Sequence, residues 1–151
     1  MTEENKSAEN PTSNQFINEV FGEIGKMDNA DLNMDKTGTT NLAKFIERLG
    51  EELPRYVLAN MSVMITHLND DSYTMRNAIL HALSRILSKV LRDQSELVLK
   101  TRDDLLGILE ERFRDTNAYT RSECIKCWSH LCEEKAIPMK MLPDLLENVK
   151  G

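Results

Sequence analysis

The sequence predicts an all-α chain of stacked helix pairs, and three observations carry that expectation. Among 151 residues there are only six glycines and four prolines, too few for a strand-and-turn architecture, while Leu, Glu, Lys, Arg, Ala and Met, all good helix formers, are frequent. Apolar residues recur at helical spacing almost without pause from Thr40 onward. The chain also resembles itself when shifted by 45 residues. A composition of 40% hydrophobic and 29% charged residues is that of a soluble protein with one modest core.

The formal charge of −6 excludes a wholly basic nucleic-acid-binding domain but leaves room for a local basic face. Residues 1–40 hold eight acidic and three basic side chains, leaving 17 and 16 for the remainder. Acidity therefore belongs to the leader. Residues 1–13 have almost nothing apolar to bury and are expected to be disordered. No apolar run reaches the eighteen or more residues of a membrane span, and the polar, acidic N-terminus is unlike a signal or transit peptide. An intracellular protein without membrane contact is the expectation, and Cys124, Cys127 and Cys132 suit reduced thiols better than a disulfide framework.

Residues 14–39 read as a short helix and a loop. Phe16, Ile17, Val20, Phe21 and Ile24 share one helical face, with Asn14 as cap and Gly25 near the stop. Residues 27–38 read as the loop. A helix follows over about 40–52. Pro54, whose missing N–H is harmless in a first turn, opens the next, which runs to about Leu68. After a turn at 69–72, a helix over about 73–91 carries a wide apolar stripe of Ala78, Ile79, Ala82, Leu83, Ile86, Leu87 and Val90. Thr101 with Asp104 resembles a capping box for a helix ending near Phe113. Asn117 caps the helix over about 118–134, whose buried face is expected to be Cys124, Ile125, Cys127, Trp128, Leu131 and Cys132. Pro138 and Pro143 bracket the approach to a last helical piece.

At the 45-residue shift Leu68 meets Phe113, Leu80 meets Ile125, Leu83 meets Trp128 and Ile86 meets Leu131. Helix pairs at a period of about 40–47 residues are the mark of HEAT or armadillo solenoids; 34-residue repeats do not fit. The repeat region then divides into about 40–52, 53–92, 95–134 and a partial unit at 138–151. The most specific element is an aspartate six residues before an arginine, at Asp70/Arg76 and again at Asp115/Arg121. In a stack of this kind the aspartate accepts hydrogen bonds within its turn, and the arginine reaches the aspartate of a neighbouring unit in a charge-assisted ladder. These four are the expected repeat-stacking residues.

The chemistry of sites is sparse. Cys124, Cys127, His130 and Cys132 invite a zinc reading. At about 100° per residue, however, one helix cannot turn all four toward one ion, and buried packing of the thiols is the better reading. No P-loop, G-x-S-x-G, H-E-x-x-H or dinucleotide fingerprint is present. The paired carboxylates sit at helix ends or on solvent faces. Neither a catalytic residue, nor a metal, nor a cofactor is expected. His81, Arg85 and Arg92, with Lys89 beside them, form a basic strip opposite the apolar stripe, a candidate contact for DNA or an acidic partner as well as a plain solvated face. The strip is not sustained in the next unit, where Lys126, His130 and Glu133 stand.

Residues 40–87 and 101–139 resemble the HEAT-repeat region of the condensin complex subunit 1 family, the larger non-SMC HEAT subunit of condensin I. The resemblance rests on Ser72-Tyr73-Thr74-Met75-Arg76-Asn77-Ala78, Thr101-Arg102-Asp103 and Glu134-Lys135-Ala136-Ile137-Pro138, and extends over roughly residues 16–141. It implies a curved, non-catalytic scaffold that binds the kleisin subunit of an SMC ATPase complex, helps contact DNA and chromatin, and supports mitotic chromosome condensation in the nucleus, with the cytoplasm possible outside mitosis. Members of that family carry many more repeats, so the chain is expected to be a fragment, a truncated product or a short relative. The competing readings are a stand-alone helical adaptor of trafficking or phosphatase type and a nonfunctional truncation.

Overall fold

The computed structural model describes residues 11–92 and 95–150, and every regular element among them is helical. The elements are α1 (Pro11–Lys26), α2 (Asn29–Met34), α3 (Lys36–Glu52), α4 (Pro54–Ala59), α5 (Met61–Thr66), α6 (Tyr73–Lys89), α7 (Glu96–Glu111), α8 (Ala118–Glu133) and α9 (Leu142–Lys150), with 3-10 turns at His67–Asn69, Arg112–Arg114 and Met139–Met141. The all-α helical-repeat class expected from composition and periodicity is the class observed.

Helix α6 is the axis of the molecule. It packs on α3 on one flank and α8 on the other, while α4, α7 and the 3-10 turn at 67–69 cover a third side. The sequence explains why it tolerates burial on three sides. Its apolar stripe is widened by Met75 and Leu80, and small Ala78, Ala82, Ser84 and Ser88 let neighbours approach. Each large aliphatic side chain so enclosed contributes about 1.5–3 kcal/mol.

The closest approach is between α3 and α6. A Cβ added to Gly50 would lie 2.9 Å from both Cα and Cβ of Ala82, so the glycine is retained in a helix, where it is unfavourable by roughly 1 kcal/mol, because nothing larger fits.

The region expected to be loop, 27–38, is not one. Asp28 accepts a hydrogen bond from the Asp31 amide while Asp31 accepts from the Asp28 amide, a reciprocal capping box that starts α2; Asp35 then caps α3 through the Gly38 amide at 2.8 Å. The signal, aspartates three residues apart, was in the sequence and was outweighed by its polarity. Leu32 is the anchor of this segment, 1% exposed. The expected disorder of 1–13 falls for residues 1–10 outside the described residues, and Pro11–Ser13 already belong to α1. Asn14 lies inside that helix instead of capping it, and Phe16 is 60% exposed while Ile17, Phe21 and Ile24 are buried.

Two further boundaries and one buried face differ. The helix expected from Pro54 to Leu68 is interrupted at Asn60, whose side-chain amide donates to the Tyr56 carbonyl and satisfies an acceptor that the break frees. Thr101 is no cap, since α7 begins at Glu96 and the Thr101 hydroxyl donates back to the Leu97 carbonyl; Leu-Val-Leu-Lys ahead of it is simply competent to be helical. On α8, Cys124, Cys127, Trp128 and Leu131 are buried, but Ile125 and Cys132 are exposed, one step of about 100° further round. Those two line a 210 Å³ apolar groove against Leu145 and Leu146 of α9. Asn117 does cap α8, accepting from the Tyr119 and Thr120 amides.

Gly50→Ala is expected to lower stability by about 1–3 kcal/mol through overpacking even though alanine is the better helix former. Urea denaturation checks this, and a stabilised variant would show that the α3–α6 contact is looser than described.

Candidate functional site

The turns before α6 and α8 lie side by side along one edge, and charge joins them. Arg76, in the first turn of α6, points across to the next turn. Its Nε donates to Asp115 Oδ2 at 3.0 Å and its Nη2 to Asp115 Oδ1 at 2.9 Å, a bidentate pair with side chains 7% and 3% exposed. Its remaining nitrogen, Nη1, donates to the Asp70 carbonyl of its own turn at 2.5 Å. Asp115 Oδ1 also accepts from the Asn117 amide at 2.9 Å, which fixes the carboxylate just ahead of the α8 cap. Removing two charges from water costs several kcal/mol each, and only such complete bonding offsets it.

Arg121 copies half of this geometry. Its Nη1 donates to the Asp115 carbonyl at 2.7 Å and to Thr116 at 3.2 Å, as Arg76 does to Asp70. Asp70 is placed differently. Its carboxylate meets His67 Nδ1 at 2.5 Å, and His67 Nε2 lies 2.8 Å from the Ile24 carbonyl at the end of α1. So the first seam, toward α1, is made by a buried histidine, and the second, toward α8, by an arginine. Arg112 adds to the second by donating to the Leu68 carbonyl at 3.0 Å. Sequence reasoning missed His67 and Arg112. His67 stands three residues before Asp70, a spacing that brings side chains together on a helical turn.

The basic strip of α6 is tied to its two flanks. His81 Nε2 lies 3.1 Å from Glu51 Oε1, Arg85 Nη2 3.7 Å from the same oxygen, and Lys89 donates to the Glu51 carbonyl at 2.8 Å, all at the end of α3. Arg92 donates to Ser88 and, on the opposite flank, to the carbonyl and carboxylate of Glu134 at 2.7 and 3.1 Å. Arg85 also donates from Nη1 to His130 Nε2 at 3.0 Å. Glu51, Arg85 and His130 thus connect three helices packed side by side, α3, α6 and α8. The hydrogen bond from His81 is the main cause holding the Glu51 carboxyl below its ordinary range, burial opposing it. Burial, followed by the Arg85 charge, lowers the pKa of His130.

The cysteines of α8 face different surroundings. Cys124 Sγ donates to the Leu109 carbonyl at 3.2 Å and Cys127 Sγ to Leu80 at 3.5 Å, and burial pushes both thiols up to about 12. At that value they are protonated and unreactive near neutrality. Cys132 is exposed, on the wall of the groove against α9. Among the described residues no three His, Cys, Asp or Glu side chains converge on a metal position.

Two outcomes are expected. Asp115→Ala leaves Arg76 buried and unpaired and is expected to cost about 3–5 kcal/mol, whereas Arg76→Met with Asp115→Leu is expected to recover part of that loss; equilibrium unfolding of the two variants against the parent chain measures it. Because His130 has a lowered folded pKa, its ring binds fewer protons folded than unfolded. Its contribution is present above its ordinary value of about 6.5 and is lost as pH falls through the lowered value. Urea midpoints measured downward from about pH 7.5 are expected to decline, and His130→Gln, which keeps an acceptor for Arg85 but does not titrate, is expected to flatten the upper part of that decline.

No family model and no solved structure matches the sequence. Curated relatives do. The chain is 34% identical over 126 residues to condensin complex subunit 1 of Mus musculus, covering 82% of this chain and 9% of the relative. It is 33% identical over 124 residues to condensin-1 complex subunit CAP-D2 of Arabidopsis thaliana, covering 78% and 9%. To the Xenopus laevis condensin complex subunit 1 it is 32% identical over 137 residues, covering 89% and 10%. The chain therefore spans about a tenth of the length of the curated relatives it matches. Similarity over four-fifths of its sequence, joined to an all-helical repeat fold, makes this chain a partial-length relative of condensin complex subunit 1.

Proposed function

We propose that the chain is a non-catalytic HEAT-repeat scaffold segment that works in mitotic chromosome condensation, in the nucleus and on chromosomes, with a kleisin subunit and an SMC ATPase complex as partners. The observation that carries this reading is the extent of the similarity to condensin complex subunit 1, which holds across plant and animal relatives over most of this chain. The mechanism is geometric. A scaffold of stacked helix pairs transmits position, so what matters is the angle at which each pair sits on the next. Asp70, Arg76, Asp115 and Arg121 are assigned the role of setting that angle: planar guanidinium and carboxylate groups accept one relative orientation, where a greasy contact accepts many.

The α6 strip is the proposed contact for DNA or an acidic partner. Its charges are not idle in the free protein, since Glu51 and Glu134 engage all four residues. A phosphate or carboxylate that binds there has to compete with Glu51 for Arg85 and Lys89. Lys89, exposed at the end of α6, and Arg92, half-exposed, are the most accessible of the four.

Affinity purification of the tagged chain from mitotic nuclear extract tests the assignment. Recovery of kleisin and SMC subunits is the expected result, and their absence together with no chromatin association would sink it. Arg85→Glu with Lys89→Glu is expected to weaken DNA binding and reduce its salt dependence; an unchanged salt-dependent affinity would remove the strip from the mechanism.

A further inference from the structure

Opposite the turn seam, the C-terminal end of α6, the first half of α7 and the segment after α8 enclose a cleft of 430 Å³ lined by Leu87, Leu91, Arg92, Arg102, Lys135 and Ile137, among others. Its two arginines are held in separate ion pairs. Arg92 bonds Glu134, Arg102 bonds Asp103 Oδ1 at 3.2 Å, and Lys140 bonds Asp103 Oδ2 at 2.7 Å. Among the described residues that line the cleft, Arg92, Arg102 and Lys135 are cations and Glu134 is the carboxylate, in a repeat region whose overall charge is nearly balanced.

Lys135 is unusual in its backbone. Helix α8 ends in a left-handed turn in which the Ala136 amide bonds the Leu131 carbonyl at 2.9 Å and the Lys135 amide bonds Cys132 at 3.1 Å, with Lys135 at φ 53°. It is the only non-glycine residue with positive φ among the described residues. This is the position where glycine is least strained. Attraction of a cation to the helix C-terminus does not explain the choice, because a lysine one turn earlier gains it at ordinary φ. Strain kept at a cleft is a pointer to use of the side chain.

From this geometry we infer that the cleft is a docking site for an acidic peptide segment that carries an aliphatic anchor: carboxylates meet Lys135, Arg102 and Arg92 at the rim, and the anchor rests on Leu91 and Ile137. Charge complementarity selects the acidic partner. A DNA backbone fits less well, because a bounded cleft with Glu134 in its wall and Asp103 paired to Arg102 offers no continuous track for phosphates, and its apolar floor would go unused. The site is separate from the α6 strip except for Arg92, and it does not depend on the condensin reading.

Lys135→Gly tests the inference without the ambiguity of a misfolded variant, since glycine relieves the left-handed strain and is expected to raise Tm. The probe is a short fluorescein-labelled peptide of glutamates interspersed with leucines, followed by fluorescence anisotropy on the full chain. Binding that weakens with salt is expected, with a loss of roughly tenfold in Lys135→Gly and again in Arg102→Gln, and with weaker binding of a peptide whose leucines are replaced by serine. Absence of binding, an affinity unchanged in Lys135→Gly, equal binding of the serine peptide, or tighter binding of a short DNA duplex at the same cleft would each overturn it.

Discussion

The Asp115 carboxylate is the constraint on which the rest of this structure depends. It is almost wholly removed from water and accepts two hydrogen bonds from Arg76 and one from the Asn117 amide. Those three donors belong to two different helix pairs, so the charge is satisfied only when α6 and the α8 turn stand in one relation. Hydrophobic burial supplies the greater part of the driving force, yet it is indifferent to small rotations of one pair on another. The bidentate pair is not, and its penalty for misalignment is a buried unpaired charge.

Burial of α6 on three sides follows the same logic at the level of shape. Small residues at 78, 82, 84 and 88 admit the flanking helices, and Gly50 on α3 answers Ala82. Along the exposed side of this layer, Glu51, Arg85 and His130 link α3, α6 and α8 by polar contacts. The stack is thus fastened at one edge by a buried pair and across its open side by groups that titrate or exchange partners. A scaffold so built holds its register at the turns and retains some freedom on the side where its cationic strip lies.

Helix positions were legible in the sequence wherever a one-sided apolar stripe coincided with a cap, as at Asn117. They were misread where the two signals conflicted. Residues 27–38 looked like loop because only Leu32 anchors them, although Asp28, Asp31 and Asp35 carry the capping information. Thr101 and Asp104 had the spacing of a cap but lay within a run able to be helical without one. The aspartate and arginine spacing in the two turns was visible as a repeat. Its partners in space were not fully visible: Asp70 bonds His67, and Glu51 gathers His81, Arg85 and Lys89 from 30 or more residues away. Such pairings depend on which helices become neighbours, and no local pattern encodes them.

The claim that the Arg76–Asp115 pair fixes the orientation of successive helix pairs can be read from exchange of the Arg76 Nε proton by NMR. Donated to the buried Asp115 carboxylate, on a guanidinium whose Nη1 is held by its own turn, that proton is predicted to exchange only through global opening, on the scale of the most protected α6 amides. Exchange as rapid as that of Arg48, whose side chain is 79% exposed, would show that the pair opens by itself and that burial alone sets how these helices stack.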